Sequence, residues 1–85
     1  MIDLINMEIQ QVRSFLAAAR MGGFVKAAES VHRTQPAVTA AVKALERELG
    51  FKLFERRGRR AALSPAGEAL TAEAGPALDR WEGSR

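Results

Sequence analysis

Four arginines crowd around one glycine in the run ERRGRR, where Arg56, Arg57, Arg59 and Arg60 flank Gly58. A guanidinium is always charged and presents a planar fork of donors, which suits phosphate oxygens. Upstream, Gln35 and Thr39 stand four residues apart, with Ala40 beside them. A glutamine amide can pair bidentately with adenine, and a threonine can hydrogen-bond a base or touch a thymine methyl. Ala40 offers only an apolar surface. Other chemistry is hard to build here. The chain has no cysteine and one histidine, His32, so disulfides and thiolate metal sites are excluded. His32 reads as a turn or surface residue. Ser64 has no base placed near it and reads as a helix cap rather than a nucleophile. Without a nucleophile–base pair, a metal cluster or a Gly-rich phosphate loop, an enzyme has no support, and neither cofactor nor metal is expected.

The charge distribution sharpens this reading. The net charge is only +3, but residues 33–60 hold eight lysines and arginines against three glutamates, net +5. Residues 1–32 are neutral overall and residues 61–85 carry net −2. A polyanion would therefore bind the middle third. The 85 residues make one small domain with a modest core. No apolar run approaches the roughly 18 residues a membrane helix needs, and MIDLINMEIQ lacks the basic start of a secretion signal. These features fit a cytoplasmic protein with no membrane partner.

Those residues need elements to position them. Ile9, Val12, Phe15, Leu16 and Ala19 recur at helical spacing, which predicts an amphipathic helix over 8–20 stopped by Gly22-Gly23. Phe24, Ala27, Ala28 and Val31 give a second, shorter helix over 24–31. After His32-Arg33-Thr34 a third helix spans 35–49, with Thr34 as N-cap, Pro36 in the first turn and Gly50 as C′ residue. Val38, Ala41, Val42, Leu45 and Leu49 share one side of it; Pro36, Thr39, Ala40, Lys43 and Arg47 lie opposite, with Gln35 at the edge. Leu53-Phe54-Glu55 and Arg60-Ala61-Ala62-Leu63 form a basic hairpin turning at Arg57-Gly58-Arg59. Ser64, Pro65 and Glu68 open a last helix, and its Gly75-Pro76 is expected to kink or break it. Phe15, Phe24, Leu45 and Phe54 are expected in the core.

Two short helices joined by a tight turn let the second project into a DNA major groove. Its N-terminal end enters deepest and must be polar and not bulky. Gln35, Pro36, Thr39 and Ala40 are the base-facing candidates, although Pro36 is first a helix-start device. Arg33, Thr34, Lys43 and Arg47 suit phosphates, helped by the free N–H groups of the helix start. Lys43 and Arg47 can alternatively pair with glutamates three or four residues away. Arg56, Arg57, Arg59 and Arg60 of the hairpin suit phosphates or a narrow minor groove.

The same residues carry a resemblance. Gly22-Gly23-Phe24 with Ala27-Ala28, Thr34-Gln35-Pro36-Ala37-Val38-Thr39, Leu45-Glu46 with Leu49-Gly50, Leu53-Phe54-Glu55-Arg56 and Leu63-Ser64-Pro65-Ala66-Gly67 follow one another at consistent spacing. Over roughly residues 7–70 the chain resembles the N-terminal DNA-binding domain of LysR-type transcriptional regulators. The resemblance implies a mainly α, winged helix-turn-helix fold followed by a linker helix that pairs in a dimer. It implies base contacts from the residues matching Gln35, Thr39 and Ala40, and backbone or minor-groove contacts from Arg56 to Arg60. The chain departs from the family pattern at Gly23, where serine is usual, at Val25, where threonine is usual, and at Ala40, where a cation is frequent. Family members continue into a ligand-sensing domain; a small-molecule inducer would bind there, beyond Arg85. An excised fragment and a short stand-alone protein both fit this length.

The expected layout is a winged helix-turn-helix domain over 1–64, with the helix-turn-helix about 24–43 and the wing about 53–63. A linker and dimerisation helix follows over 65–85, pairing through Leu70, Ala74, Ala77, Leu78 and Trp81. The expected function is sequence-specific binding of a pseudo-palindromic DNA operator by a homodimer. The competing class is a winged-helix protein-interaction module without specific DNA binding, since a fold alone does not settle function.

Overall fold

The computed structural model describes the backbone of residues 2–83 and the side chains of residues 9–80. In chain order it holds α1 (Ile2–Met21), α2 (Phe24–Ser30), α3 (Gln35–Leu49), β1 (Phe54–Arg57), β2 (Arg60–Leu63) and α4 (Pro65–Gly83). The chain divides into two compact units, Met1–Phe51 and Lys52–Arg85.

In the first unit α1 packs on both α2 and α3, and α2 packs on α3. Phe15, Leu16, Ala17 and Ala18 of α1, Ala27 and Ala28 of α2, and Val38, Val42 and Leu45 of α3 are buried. The alanines let the helices approach closely, while each large apolar side chain stabilises by about 1.5–3 kcal/mol. Of the expected core residues, Phe15 and Leu45 are buried, and Phe24 and Phe54 are half-buried. Leu49, expected on the apolar side of α3, is exposed at the helix's last position. Helix α1 starts ahead of the expected residue 8, because Ile2–Glu8 contains no glycine or proline to stop it.

The helix ends follow cap chemistry. Gly22 has φ 71°, and its N–H donates to the Ala18 carbonyl at 3.1 Å, closing α1. Helix α2 ends in a Schellman pattern. The Arg33 N–H donates to Ala28 O at 2.9 Å, and the His32 N–H donates to Glu29 O at 3.3 Å. His32 occupies the left-handed place, φ 57°, where glycine is usual. Thr34 then caps α3, its Oγ1 accepting from the Ala37 N–H at 3.3 Å. At the far end Gly50, φ 83°, donates its N–H to Glu46 O at 2.8 Å.

In the second unit β1 and β2 pair antiparallel, with Phe54 opposite Leu63, Glu55 opposite Ala62, Arg56 opposite Ala61 and Arg57 opposite Arg60. The strand therefore begins one residue later than Leu53, which is fully buried, and takes in Arg57, leaving Gly58 (φ 66°) and Arg59 as the turn. Ser64 caps α4, accepting from the Gly67 N–H at 3.0 Å. Its own N–H donates to Leu53 O at 2.9 Å, and its hydroxyl donates to Lys52 O at 2.7 Å. These bonds tie the start of the hairpin to the start of α4. The wing thus groups with the last helix in the second unit. Helix α4 runs unbroken past Gly75-Pro76, so the break expected there does not occur. Pro76 removes one hydrogen bond to the Ala72 carbonyl, and the helix continues on both sides of that gap.

Candidate nucleic-acid interface

Burial of Val38, Val42 and Leu45 fixes which side of α3 faces away from the core. Gln35, Pro36, Ala40, Lys43 and Arg47 are exposed there, and Thr39 is half-buried. Arg33 and Thr34 are exposed in the turn before it. All the expected residues of the third helix and its turn are thus brought onto one unit's surface. The Thr34 oxygen is committed to the cap of α3. Within the face, Gln35 Nε2 donates to Thr39 Oγ1 at 3.0 Å. Among the described residues no ion pair engages Lys43 or Arg47, so the alternative pairing with nearby glutamates is not made. Both cations remain available to an anion.

The wing carries its charges on a small antiparallel ladder. Cross-strand partners share a face, so Glu55, Arg57, Arg60 and Ala62 lie on one side, and Phe54, Arg56, Ala61 and Leu63 on the other. Arg57 and Arg60 are directly opposed, an arrangement that repels unless an anion lies near. Glu55 supplies one: its Oε1 accepts from Arg57 Nη2 at 3.4 Å. That pair is exposed, and exposed pairs contribute only about 0–1 kcal/mol, so a phosphate can displace it. Arg56, Arg59 and Arg60 are also exposed.

The candidate pairing face of α4 is assembled only in part. Leu70, Ala74 and Leu78 are half-buried, Ala77 is exposed, and Trp81 lies outside the residues whose side chains are described. Two contacts escaped sequence reasoning, the Gln35–Thr39 hydrogen bond and the Glu55–Arg57 pair. Helical i,i+4 spacing and strand i,i+2 spacing were the signals that could have found them. Among the described residues no group of three metal-ligating side chains occurs, and no helix is long and apolar enough to cross a membrane.

A three-helix unit with a tight turn before its exposed third helix, followed by a two-stranded hairpin and a further helix, defines a winged helix-turn-helix protein. Residues 9–68 match the family model described as "Bacterial regulatory helix-turn-helix protein, lysR family". The chain belongs to that family. It is 46% identical over 68 residues to the HTH-type transcriptional regulator TfdT of Cupriavidus pinatubonensis, covering 80% of this chain and 30% of that protein. It is 40% identical over 79 residues to an uncharacterized HTH-type transcriptional regulator of Azotobacter vinelandii, covering 93% of this chain and 55% of the relative. The chain thus spans little more than half, or less, of the curated relatives it matches. Among solved structures, the CbnR_DBD–DNA complex superimposes with TM-score 0.79 and 36% identity, covering 89% of this chain and 87% of that one. The BenM_DBD/catB site 1 DNA complex superimposes with TM-score 0.82 and 29% identity, covering 89% and 84%. The relatives are transcriptional regulators, and their names describe no enzyme.

Proposed function

We propose that this chain binds double-stranded DNA in a sequence-dependent way, as the DNA-binding segment of a cytoplasmic LysR-type transcriptional regulator. Helix α3 enters the major groove, with Gln35, Pro36, Thr39 and Ala40 toward base edges. Arg33, Thr34, Lys43 and Arg47 lie along the phosphates. The wing arginines take phosphates or a narrow minor groove. Two copies pair through α4, so that two half-sites about one helical turn or a multiple apart are read together. No catalytic step is assigned to any residue. An inducer acts through a further domain beyond this segment.

The observation that carries this reading is the match, over most of both chains, to two regulator domains solved on DNA. The polar, basic outer face of α3 agrees with it. The test is selection of the purified chain against a randomised duplex library at two salt concentrations. An enriched pseudo-palindrome whose binding falls with salt supports the reading, because each neutralised phosphate releases counterions. Salt-sensitive binding without enrichment leaves a non-specific DNA binder. No binding at either salt favours the protein-interaction module.

A further inference from the structure

We infer that Thr39 is a positioning residue, holding the Gln35 amide so that Gln35 reads adenine and refuses guanine. The inference rests on the DNA-binding reading and deepens it.

A glutamine side chain has three rotatable bonds and a carboxamide with two donors and one acceptor. Free in solvent, it can present its groups in several ways. Facing adenine it uses one N–H on N7 and its oxygen on the N6 amino group. Facing guanine, whose major-groove edge offers only the acceptors N7 and O6, it would need to turn both N–H bonds outward. The Gln35–Thr39 contact removes that second option. Gln35 Nε2 donates one proton to Thr39 Oγ1 at 3.0 Å, which leaves one N–H and the Oε1 acceptor for a ligand. That remaining pair matches adenine and places an oxygen against guanine O6.

Thr39 is a suitable anchor. It is β-branched, which restricts χ1 in a helix to two main rotamers, and it is half-buried while Gln35 is exposed. Ala40 beside it brings no polar group, so no neighbouring cation on that turn competes for a purine edge. Fixing a rotamer-rich side chain before binding is worth about two- to tenfold in preference.

The test compares library selections for the wild-type 85-residue chain and for Gln35→Ala, Thr39→Val, Thr39→Ser and Gln35→Ala/Thr39→Val. Gln35→Ala identifies the base pair that Gln35 reads, by loss of its adenine preference. At that pair Thr39→Val is expected to lower the adenine-to-guanine ratio about two- to tenfold. Thr39→Ser, which keeps the hydroxyl, is expected to hold the ratio near wild type. A helical fold lost in the valine variant would weaken every position alike and would not change one ratio. An unchanged ratio in Thr39→Val overturns the inference. So does a loss confined to a different base pair that persists in the Gln35→Ala background, because Thr39 would then act on DNA itself and not through Gln35. If the wild-type chain enriches no sequence, the DNA reading fails, and this inference fails with it.

Discussion

The Ser64 hydroxyl donates to the Lys52 carbonyl at 2.7 Å, joining residues twelve apart in sequence. The same oxygen accepts from the Gly67 N–H at 3.0 Å. One buried side chain therefore caps α4 and fixes the chain where it approaches the wing. Ser64→Ala removes the cap and leaves the Lys52 carbonyl without this donor. It is expected to destabilise the protein by about 1–3 kcal/mol. Urea unfolding followed by circular dichroism measures this. Thr71→Ala, which removes only an exposed hydroxyl bonded to the Glu68 carbonyl of its own helix, is expected to change stability by less than about 0.5 kcal/mol. Equal effects from the two changes would refute the tie.

Gly67 is buried in the first turn of α4. A Cβ built there meets the Leu53 carbonyl oxygen and comes within 2.9 Å of Leu63 Cδ2. The Leu63 side chain can turn away, but the Leu53 carbonyl is backbone and already accepts from the Ser64 N–H. Gly67→Ala would normally stabilise a helix interior. Here it is expected to destabilise by about 1–3 kcal/mol, because a shift must be forced on packed backbone. The sign of the change in unfolding midpoint decides the matter.

The third helix was legible almost to the residue because its signals agree. Thr34 caps, Pro36 starts, Gly50 stops, and Val38, Val42 and Leu45 mark the inner face. The outward placement of Gln35, Lys43 and Arg47 followed from the same periodicity. The hairpin was legible in its turn but not in its first residue. Leu53 stands in register with Ser64 and accepts its N–H, but Ser64 turns to cap α4, so the strand pair closes at Phe54 and Leu63. The proline predicts a kink or a break without choosing between them, and α4 continues because one lost hydrogen bond is a local cost that the flanking turns outweigh. Beyond the caps, side-chain pairing was legible only as pairs that spacing allows. Whether Lys43 meets a glutamate or Gln35 meets Thr39 depends on rotamers, which spacing permits but does not choose.

Gly23 precedes α2 in extended backbone, φ 173°, with no side-chain cap bond. A Cβ added there meets nothing within 4 Å. Gly23→Ser supplies a capping oxygen and reduces the freedom of the unfolded chain. It is expected to raise stability by about 0.5–1 kcal/mol. Thermal unfolding should show a higher midpoint, and Gly23→Ala, which brings no capping oxygen and is a poorer N-cap than glycine, should show no rise.

Ser14 is fully buried on α1 beside Phe15, and among the described residues its Oγ has no hydrogen-bond partner. A hydroxyl taken out of water without a partner costs about 1–3 kcal/mol. Ser14→Ala removes that cost, improves helix propensity and leaves a void of only one oxygen. A stabilisation of about 1 kcal/mol is expected. A destabilised Ser14→Ala would show that the hydroxyl has a partner in solution.

Arg57 faces Arg60 across the hairpin and holds Glu55 beside it. In the proposed complex a phosphate would replace Glu55 and relieve the repulsion between the two arginines. Arg57→Ala is therefore expected to weaken binding to all sequences alike, and to lower the slope of log affinity against log salt by about 1. Glu55→Gln removes the internal competitor and is expected to strengthen binding severalfold, without altering sequence preference. Gln35→Ala should behave oppositely to Arg57→Ala, flattening preference at one base pair while leaving the salt slope intact. Fluorescence anisotropy titrations on one selected duplex and one scrambled duplex, across a salt series, separate these outcomes. If Arg57→Ala and Gln35→Ala weaken both duplexes equally and shift the slope equally, the division between a wing that grips and a helix that reads is wrong.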